Sequence, residues 1–204
     1  AALLESGVDF SSINAFHMDE YIGLPADAPQ GFGNFLKAHI FNKAPFASVN
    51  CIDCTATDPE AECSRYSALL TEYPPDIVCM GIGENGHIAF NDPGTGMADF
   101  KDPFKVKPVT LDHVCRQQQV NDGCFKTIDD VPKKAITLTV PMLVSAAHIF
   151  CVVPGTTKEK AVNLTLNGKI SESCPASALR LHRDATLYCD QYSGMCTKDI
   201  QAYD

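Results

Sequence analysis

The chain has 204 residues, 45% of them hydrophobic, with a formal net charge of −9 and an isoelectric point near 5.0. That is enough apolar material for one sizeable core, and the acidic balance argues against general nucleic-acid binding, which draws on a basic face. No apolar run reaches the length of a membrane span and no basic-then-apolar leader opens the chain, so it reads as soluble and cytoplasmic.

Taken in order, the first strand-like run is 13–18, and the carboxylates Asp19 and Glu20 follow it directly. Residues 32–41 have helical spacing. Cys51-x-x-Cys54, with Cys63 further on, is the one metal-like or redox-like spacing among ten cysteines. A structural zinc site wants a fourth ligand and usually a second paired knuckle; neither is evident, so incidental thiols are expected. A disulfide framework is not expected in a chain of this size without an export signal. A helix over 60–73 is stopped by Pro74-Pro75, because the residue before a proline is pushed out of the helical region.

The apolar run 77–82 then drives into Gly83-Glu84-Asn85-Gly86-His87-Ile88-Ala89-Phe90-Asn91-Asp92-Pro93. The run has the character of a short buried strand, and the glycine-rich stretch after it has that of a ligand-facing turn. Glycines 81, 83 and 86 also spell G-x-G-x-x-G, so a dinucleotide site has to be considered. That motif needs a long helix next, and Ile88 to Pro93 is a poor start for one. Residues 92–108, rich in Gly, Pro and Asp, read as a loop that could fold over a site or as a plain surface connection. Beyond it lie helical spacing at 111–119, a strand at 135–139, a helix at 140–146 and a strand at 148–153. Gly155-Thr156-Thr157-Lys158 opens a helix over 158–166, and a last strand covers 185–189.

Strands separated by helices imply an α/β domain, with right-handed crossovers and a mostly parallel sheet covered on both faces. Ligands bind such sheets beyond the carboxyl ends of the strands. Asp19, His87 and Lys158 all fall at such ends. A carboxylate held there partly desolvated has its pKa raised toward that of a useful base, and an imidazole changes charge near neutral pH more readily than any other side chain. The backbone N–H groups of Gly155 to Lys158 and the Lys158 ammonium could converge on an anion; Thr156 capping the helix, with Glu159 three residues on, is the plainer alternative.

Two segments, Met18-Asp19-Glu20-Tyr21-Ile22-Gly23-Leu24-Pro25 and the stretch from Gly81 to Pro93, together resemble the glucosamine-6-phosphate deaminase (isomerase) family. Val131 to Thr139 and Ser177-Ala178-Leu179-Arg180-Leu181-His182 are similar to it as well, so the likeness runs from about Ile13 to Asp190. The resemblance implies a modified Rossmann-like three-layer domain spanning residues 1–204 as a single unit. It also implies conversion of glucosamine 6-phosphate and water to fructose 6-phosphate and ammonia. Carried onto matching positions, Asp19 would move a proton between C2 and C1, and His87 would give and take the ring-oxygen proton. Lys158 would hold the phosphate. Glu20, Gly83, Gly86 and Thr156 fall in the substrate pocket, and Arg116 is the one arginine in the region where the family uses another. No metal or organic cofactor is required for such proton transfers. The expected partner is a small sugar phosphate, with neither nucleic acid nor membrane, and a homo-oligomer is common in the family.

Two positions depart from the family. Its better-known members have aspartate where this chain has Asn85, and glutamate where it has Asp92. An amide can orient a ring but cannot stabilise imidazolium as a carboxylate does. The family also has a strand and a Gly-Gly-Thr-type phosphate loop before the Asp19 segment. Only 18 residues precede Asp19 here and none form that loop, so the chain is expected to be part of a longer protein. Other sugar phosphates, a 6-phosphogluconolactone, or a binding-only regulator are the alternative functions; Asp19 argues against the lactonase, which needs hydrolysis rather than carbon-proton transfer.

Overall fold

The computed structural model describes residues 2–94 and 97–195. The chain runs α1 (Ala2–Glu5), β1 (Asn14–Phe16), β2 (Asp19–Tyr21), α2 (Phe32–Leu36) extended by a π turn at Lys37–Phe41, β3 (Ser48–Asn50) and α3 (Pro59–Glu72). It continues through β4 (Ile77–Met80), β5 (Val106–Thr110), α4 (His113–Asn121), β6 (Lys134–Leu138), α5 (Val140–Leu143), β7 (His148–Val153), α6 (Glu159–Asn167) and β8 (Ala185–Cys189).

Sequence chemistry sets the ends of α3. The Asp58 carboxylate accepts from the N–H groups of Glu60 and Ala61, both at 3.1 Å, and Pro59 needs no partner in the first turn. Cys63, Tyr66 and Leu70 recur at helical spacing and are buried on one face. The Tyr66 hydroxyl accepts from His17 N–H at 3.0 Å and reaches the carbonyls of His17 and Asn50 at 2.9 and 3.0 Å. It thereby fixes the break where the chain leaves β1 and enters β2.

Three of the five strand pairings are parallel: β1 with β3, β4 with β7, and β7 with β8. The expected strand at 135–139 is β6, but it lies antiparallel between β2 and β5. Side-chain periodicity does not encode strand direction, which is why the sequence left that open. Burial alternates along β4 and β7, so Val78, Met80, Ile149, Cys151 and Val153 enter the main core. The other face of this sheet carries Ile77, Phe150, Val152 and Tyr188 at 57%, 38%, 55% and 40% exposure. Coverage on both faces was expected, and the described residues cover one.

A second, smaller core gathers Tyr21, Phe90, Leu111, Cys115, Phe125, Val131 and Ala135. Tyr21 stacks on Phe32 at 5.2 Å between centroids and meets Phe125 edge-on at 5.6 Å. This aromatic cluster ties β2 to the base of α4. Among the described residues, no helix is long and apolar enough to cross a membrane.

Candidate active site

Beyond β4 the chain turns tightly because glycine stands at two positions that tolerate nothing larger. A Cβ on Gly83 would lie 2.0–2.3 Å from three atoms of the His87 ring. Gly86 has φ +89°, and a Cβ there would meet Cys174 Sγ at 2.9 Å. The turn closes through Gly83 N–H to His87 C=O and Gly86 N–H to Gly83 C=O, both 2.9 Å. The imidazole is thus laid over the bare backbone of Gly83. Ala89, with φ +49°, is the one described non-glycine residue in the left-handed region. The loop that strains it is pinned to β6: Phe90 N–H donates to Thr137 Oγ1 at 3.1 Å, and Asn91 Nδ2 donates to Leu138 C=O at 2.8 Å.

Asn85 determines which ring nitrogen of His87 carries hydrogen. Its Oδ1 accepts from His87 N–H at 3.0 Å and lies 2.7 Å from His87 Nδ1, while its Nδ2 donates to Asp92 Oδ1 at 3.2 Å. A carbonyl oxygen only accepts, so Nδ1 is the N–H nitrogen and Nε2 keeps the lone pair. Asp92 Oδ1 is also 3.4 Å from His87 Nδ1, and Asp92 Oδ2 accepts from Asp112 N–H at 3.4 Å. Burial first, and then the Lys158 charge, pushes the imidazole down to about 4. The ring that faces Asp92 is therefore neutral at neutral pH, and the contact is not an ion pair. Burial raises Asp92 itself, against the lowering effect of the Asn85 bond.

Asp19 opens β2 opposite Thr137 of β6. Burial, and then the neighbouring Glu20 charge, push its carboxyl up to about 7. Among the described residues its carboxylate takes no hydrogen bond. Glu20, one residue on, faces the other way by strand alternation. Its oxygens accept from the N–H groups of Tyr21, Phe32 and Gly33 at 2.9, 3.1 and 2.8 Å, closing the start of α2. Its carboxylate thus holds backbone. Arg116 holds backbone likewise: its guanidinium donates to Val131 C=O at 3.0 and 3.2 Å and to Ile128 C=O, bracing the loop before β6. Thr156 is exposed and its side chain caps nothing. The turn starts instead at Gly155, with φ +101°, whose N–H donates to Asp190 Oδ2 at 2.8 Å. Lys158 is half-buried, lowered by that burial, and forms no ion pair among the described residues.

One side chain that sequence reasoning overlooked shows which residues meet. The Cys115 thiol, fully buried in the first turn of α4, feels the charges of Asp92, Asp112, Asp19 and Lys158. The ligand atoms of His87, Asp92 and Cys115 all lie within 4.8 Å of one another. Asp19, Asp92 and Lys158 all act on this thiol, and Lys158 also acts on His87, so β2, the histidine loop and the turn before α6 converge around it. Gln118 was also missed: its Oε1 accepts from Glu84 N–H at 3.0 Å and its Nε2 donates to Asp122 at 3.3 Å, tying α4 to the histidine turn. The signal was present, since Cys115, Gln118 and Gln119 fall at i, i+3 and i+4, where a polar residue on a buried helix stripe stands out. Two surface clefts of about 560 and 880 Å³ lie elsewhere, and none of the four site residues lines either.

Residues 1–188 match the family model described as glucosamine-6-phosphate isomerases/6-phosphogluconolactonase. The glucosamine-6-phosphate deaminase of Streptococcus sanguinis (strain SK36) is 36% identical over 189 residues, which is 93% of this chain and 77% of that protein. The Listeria innocua deaminase is 36% identical over 190 residues, covering 93% and 78%. A solved monomeric glucosamine-6-phosphate deaminase superimposes with TM-score 0.86 at 35% identity, over 96% of this chain and 79% of its own. The 6-phosphogluconolactonase of Trypanosoma brucei, at 18% identity and TM-score 0.73 over 89% and 73%, shares the fold.

Proposed function

This chain belongs to the glucosamine-6-phosphate isomerase/6-phosphogluconolactonase family, and from that premise we propose that it converts glucosamine 6-phosphate and water to fructose 6-phosphate and ammonia. The observation that carries the reading is the gathering, around Cys115, of a desolvated carboxylate, a neutral imidazole with one lone pair on Nε2, and an ammonium, the carboxylate without a hydrogen bond and the ammonium without an ion pair among the described residues. In this proposal Lys158 holds the phosphate. His87 Nε2 takes the proton of the anomeric hydroxyl and returns it to the ring oxygen, which opens the ring; Asn85 and Asp92 hold the imidazole in the required tautomer. The Asp19 carboxylate removes the C2 proton and delivers it to C1, giving a C2 imine. Water adds to that carbon and ammonia leaves.

A pKa near 7 suits Asp19 to this work, because at neutral pH it is both available as a base and strong enough to abstract a carbon-bound proton. The carboxylate expected beside the histidine is replaced by Asn85, which still accepts the Nδ1 hydrogen. A carboxyl group sits one step further out, at Asp92. A cytoplasmic location and self-association belong to the same proposal. The solved relative at 35% identity is described as monomeric, so light scattering on the intact protein decides the second of these.

A coupled ammonia-release assay with glucosamine 6-phosphate tests the reaction. Turnover is expected from the intact protein, and Asp19→Asn is expected to lose at least about 100-fold, the usual scale for a lost general base. Tight binding of the sugar phosphate with no ammonia released would overturn the reading in favour of a binding-only regulator. An Asp19→Asn enzyme within about tenfold of the parent would overturn the base assignment alone.

A further inference from the structure

We propose that Cys115 Sγ, a carboxylate oxygen of Asp92 and a ring nitrogen of His87 form a binding site for a thiophilic divalent cation of the zinc class, and that the bound ion switches turnover off. Among the described residues this is the group of three His, Cys or carboxylate side chains whose ligand atoms converge, all within 4.8 Å. The Cys51-x-x-Cys54 pair, with the more metal-like spacing in sequence, gathers no such third ligand among them.

The donor types select the ion. Sulfur, nitrogen and one carboxylate oxygen suit zinc rather than magnesium or calcium, which take oxygen ligands. Around a tetrahedral ion with bonds of about 2.0–2.3 Å, ligand atoms stand roughly 3.3–3.8 Å apart. The present spread closes to that by small side-chain rotations. All three residues are buried, Cys115 and Asp92 completely, so the ion would be shielded from water. The thiol takes no hydrogen bond among the described residues and therefore gives none up on coordination. Asp92, Asp112 and Asp19 act on the thiol against Lys158, a setting in which a bound cation offsets more carboxyl groups than ammonium. One outer contact is in place, since Asp112 N–H holds the second Asp92 oxygen; Nδ1, the ring nitrogen 3.4 Å from Asp92, binds the ion by giving up its hydrogen bond to Asn85 as the ring hydrogen moves to Nε2.

Coordination exchanges the thiol's S–H bond for a sulfur–metal bond and releases that proton to solvent; nothing is oxidised or reduced. The consequence for turnover rests on the role proposed for His87, because an imidazole bound to metal cannot shuttle the ring-opening proton. The ion is thus a reversible inhibitor, and Cys115 is the residue that makes the site selective for it.

The test uses the intact protein stripped of metal by a chelator. Zinc is titrated against a competing chromophoric chelator, and cobalt(II) is added separately to look for sulfur-to-cobalt charge-transfer absorption. One ion per chain, a cobalt–thiolate band and a parallel, chelator-reversible loss of ammonia release are expected. Cys115→Ala is expected to abolish the band and weaken binding at least about tenfold, as removal of a ligand does. Inhibition is normalised to each variant's own metal-free rate. Unchanged binding by Cys115→Ala, or binding lost instead in Cys51→Ala, overturns the site. Binding through Cys115 with turnover intact overturns the inhibition. If Cys115→Ala does not fold, Cys115→Ser and the wild-type cobalt spectrum decide. The metal-binding readouts stand even if the protein releases no ammonia, so the two proposals fail separately.

Discussion

Asp19 is held where its charge is disfavoured, and that placement has a consequence for folding that can be separated from chemistry. Its carboxyl goes from an ordinary value of 3.8 to about 7 in the folded chain. Between those values the folded state binds the proton that the unfolded state has already lost. Stability is therefore unaffected by this group below about pH 4, falls as pH rises through that window, and levels off above 7. Asparagine at position 19 never ionises. Asp19→Asn is expected to be the more stable protein at pH 8, by on the order of 1–3 kcal/mol after allowance for partial solvent access, and to lose that advantage near pH 4. Urea unfolding at the two pH values checks it. An equally large gain at both would show that packing, not charge, separates the variants. His87 runs in the opposite sense. Its folded value of about 4 lies below the ordinary 6.5, so it removes stability as pH falls through that interval.

At the scale of elements, the histidine turn works because it holds a ring against backbone with no side chain between them. Gly83→Ala would place a methyl group inside the imidazole, so the ring must swing off its Asn85 contact. Turnover is expected to fall by about 100-fold or more, since displacements near 1 Å in a catalytic group have that effect. Gly81→Ala, whose Cβ would come no nearer than 3.4 Å to Val152 C=O, serves as the control. Equal rates for the two would mean that the ring position does not limit the reaction. This turn was legible in the sequence because all its parts are local: Asn85, His87 and Asp92 lie within one loop, and the glycines mark its geometry. The backbone contacts of Glu20 and Arg116 were not legible for the opposite reason. A charged residue beside a site is indistinguishable in sequence from one that holds backbone, and both found distant N–H or C=O groups that only the folded chain supplies. Strands β2, β3 and β5 were missed because three to five residues carry too little periodicity. The antiparallel direction of β6 is likewise decided by its partners rather than by its own residues.

Over the whole molecule, the proposed reaction asks an acidic chain to bind a dianionic sugar phosphate, and the proposal gives that task to one cation that has no ion pair among the described residues. The net charge is −9, yet Lys158 sits half-buried just before α6 with no ion pair among the described residues. Burial lowers its pKa, while Asp122, Glu84 and Cys115 pull the other way without contacting it. Those groups favour the charged ammonium, and among the described residues none of them bonds it. β6 holds Asp19 by strand pairing and the histidine loop by the Phe90–Thr137 bond, so in the proposed reading an anion drawn to Lys158 would bring its sugar over both groups. Lys158→Ala should therefore raise KM for glucosamine 6-phosphate by about 10- to 100-fold, the worth of one charge-assisted contact, with a much smaller change in kcat. It should also flatten the salt dependence of kcat/KM, because the attraction being screened is gone. Lys158→Arg keeps the charge and should recover part of the loss. A KM that stays put in Lys158→Ala, with kcat falling instead, would move this lysine from anchoring the phosphate to the reacting carbons and would require the sugar to lie the other way round in the site.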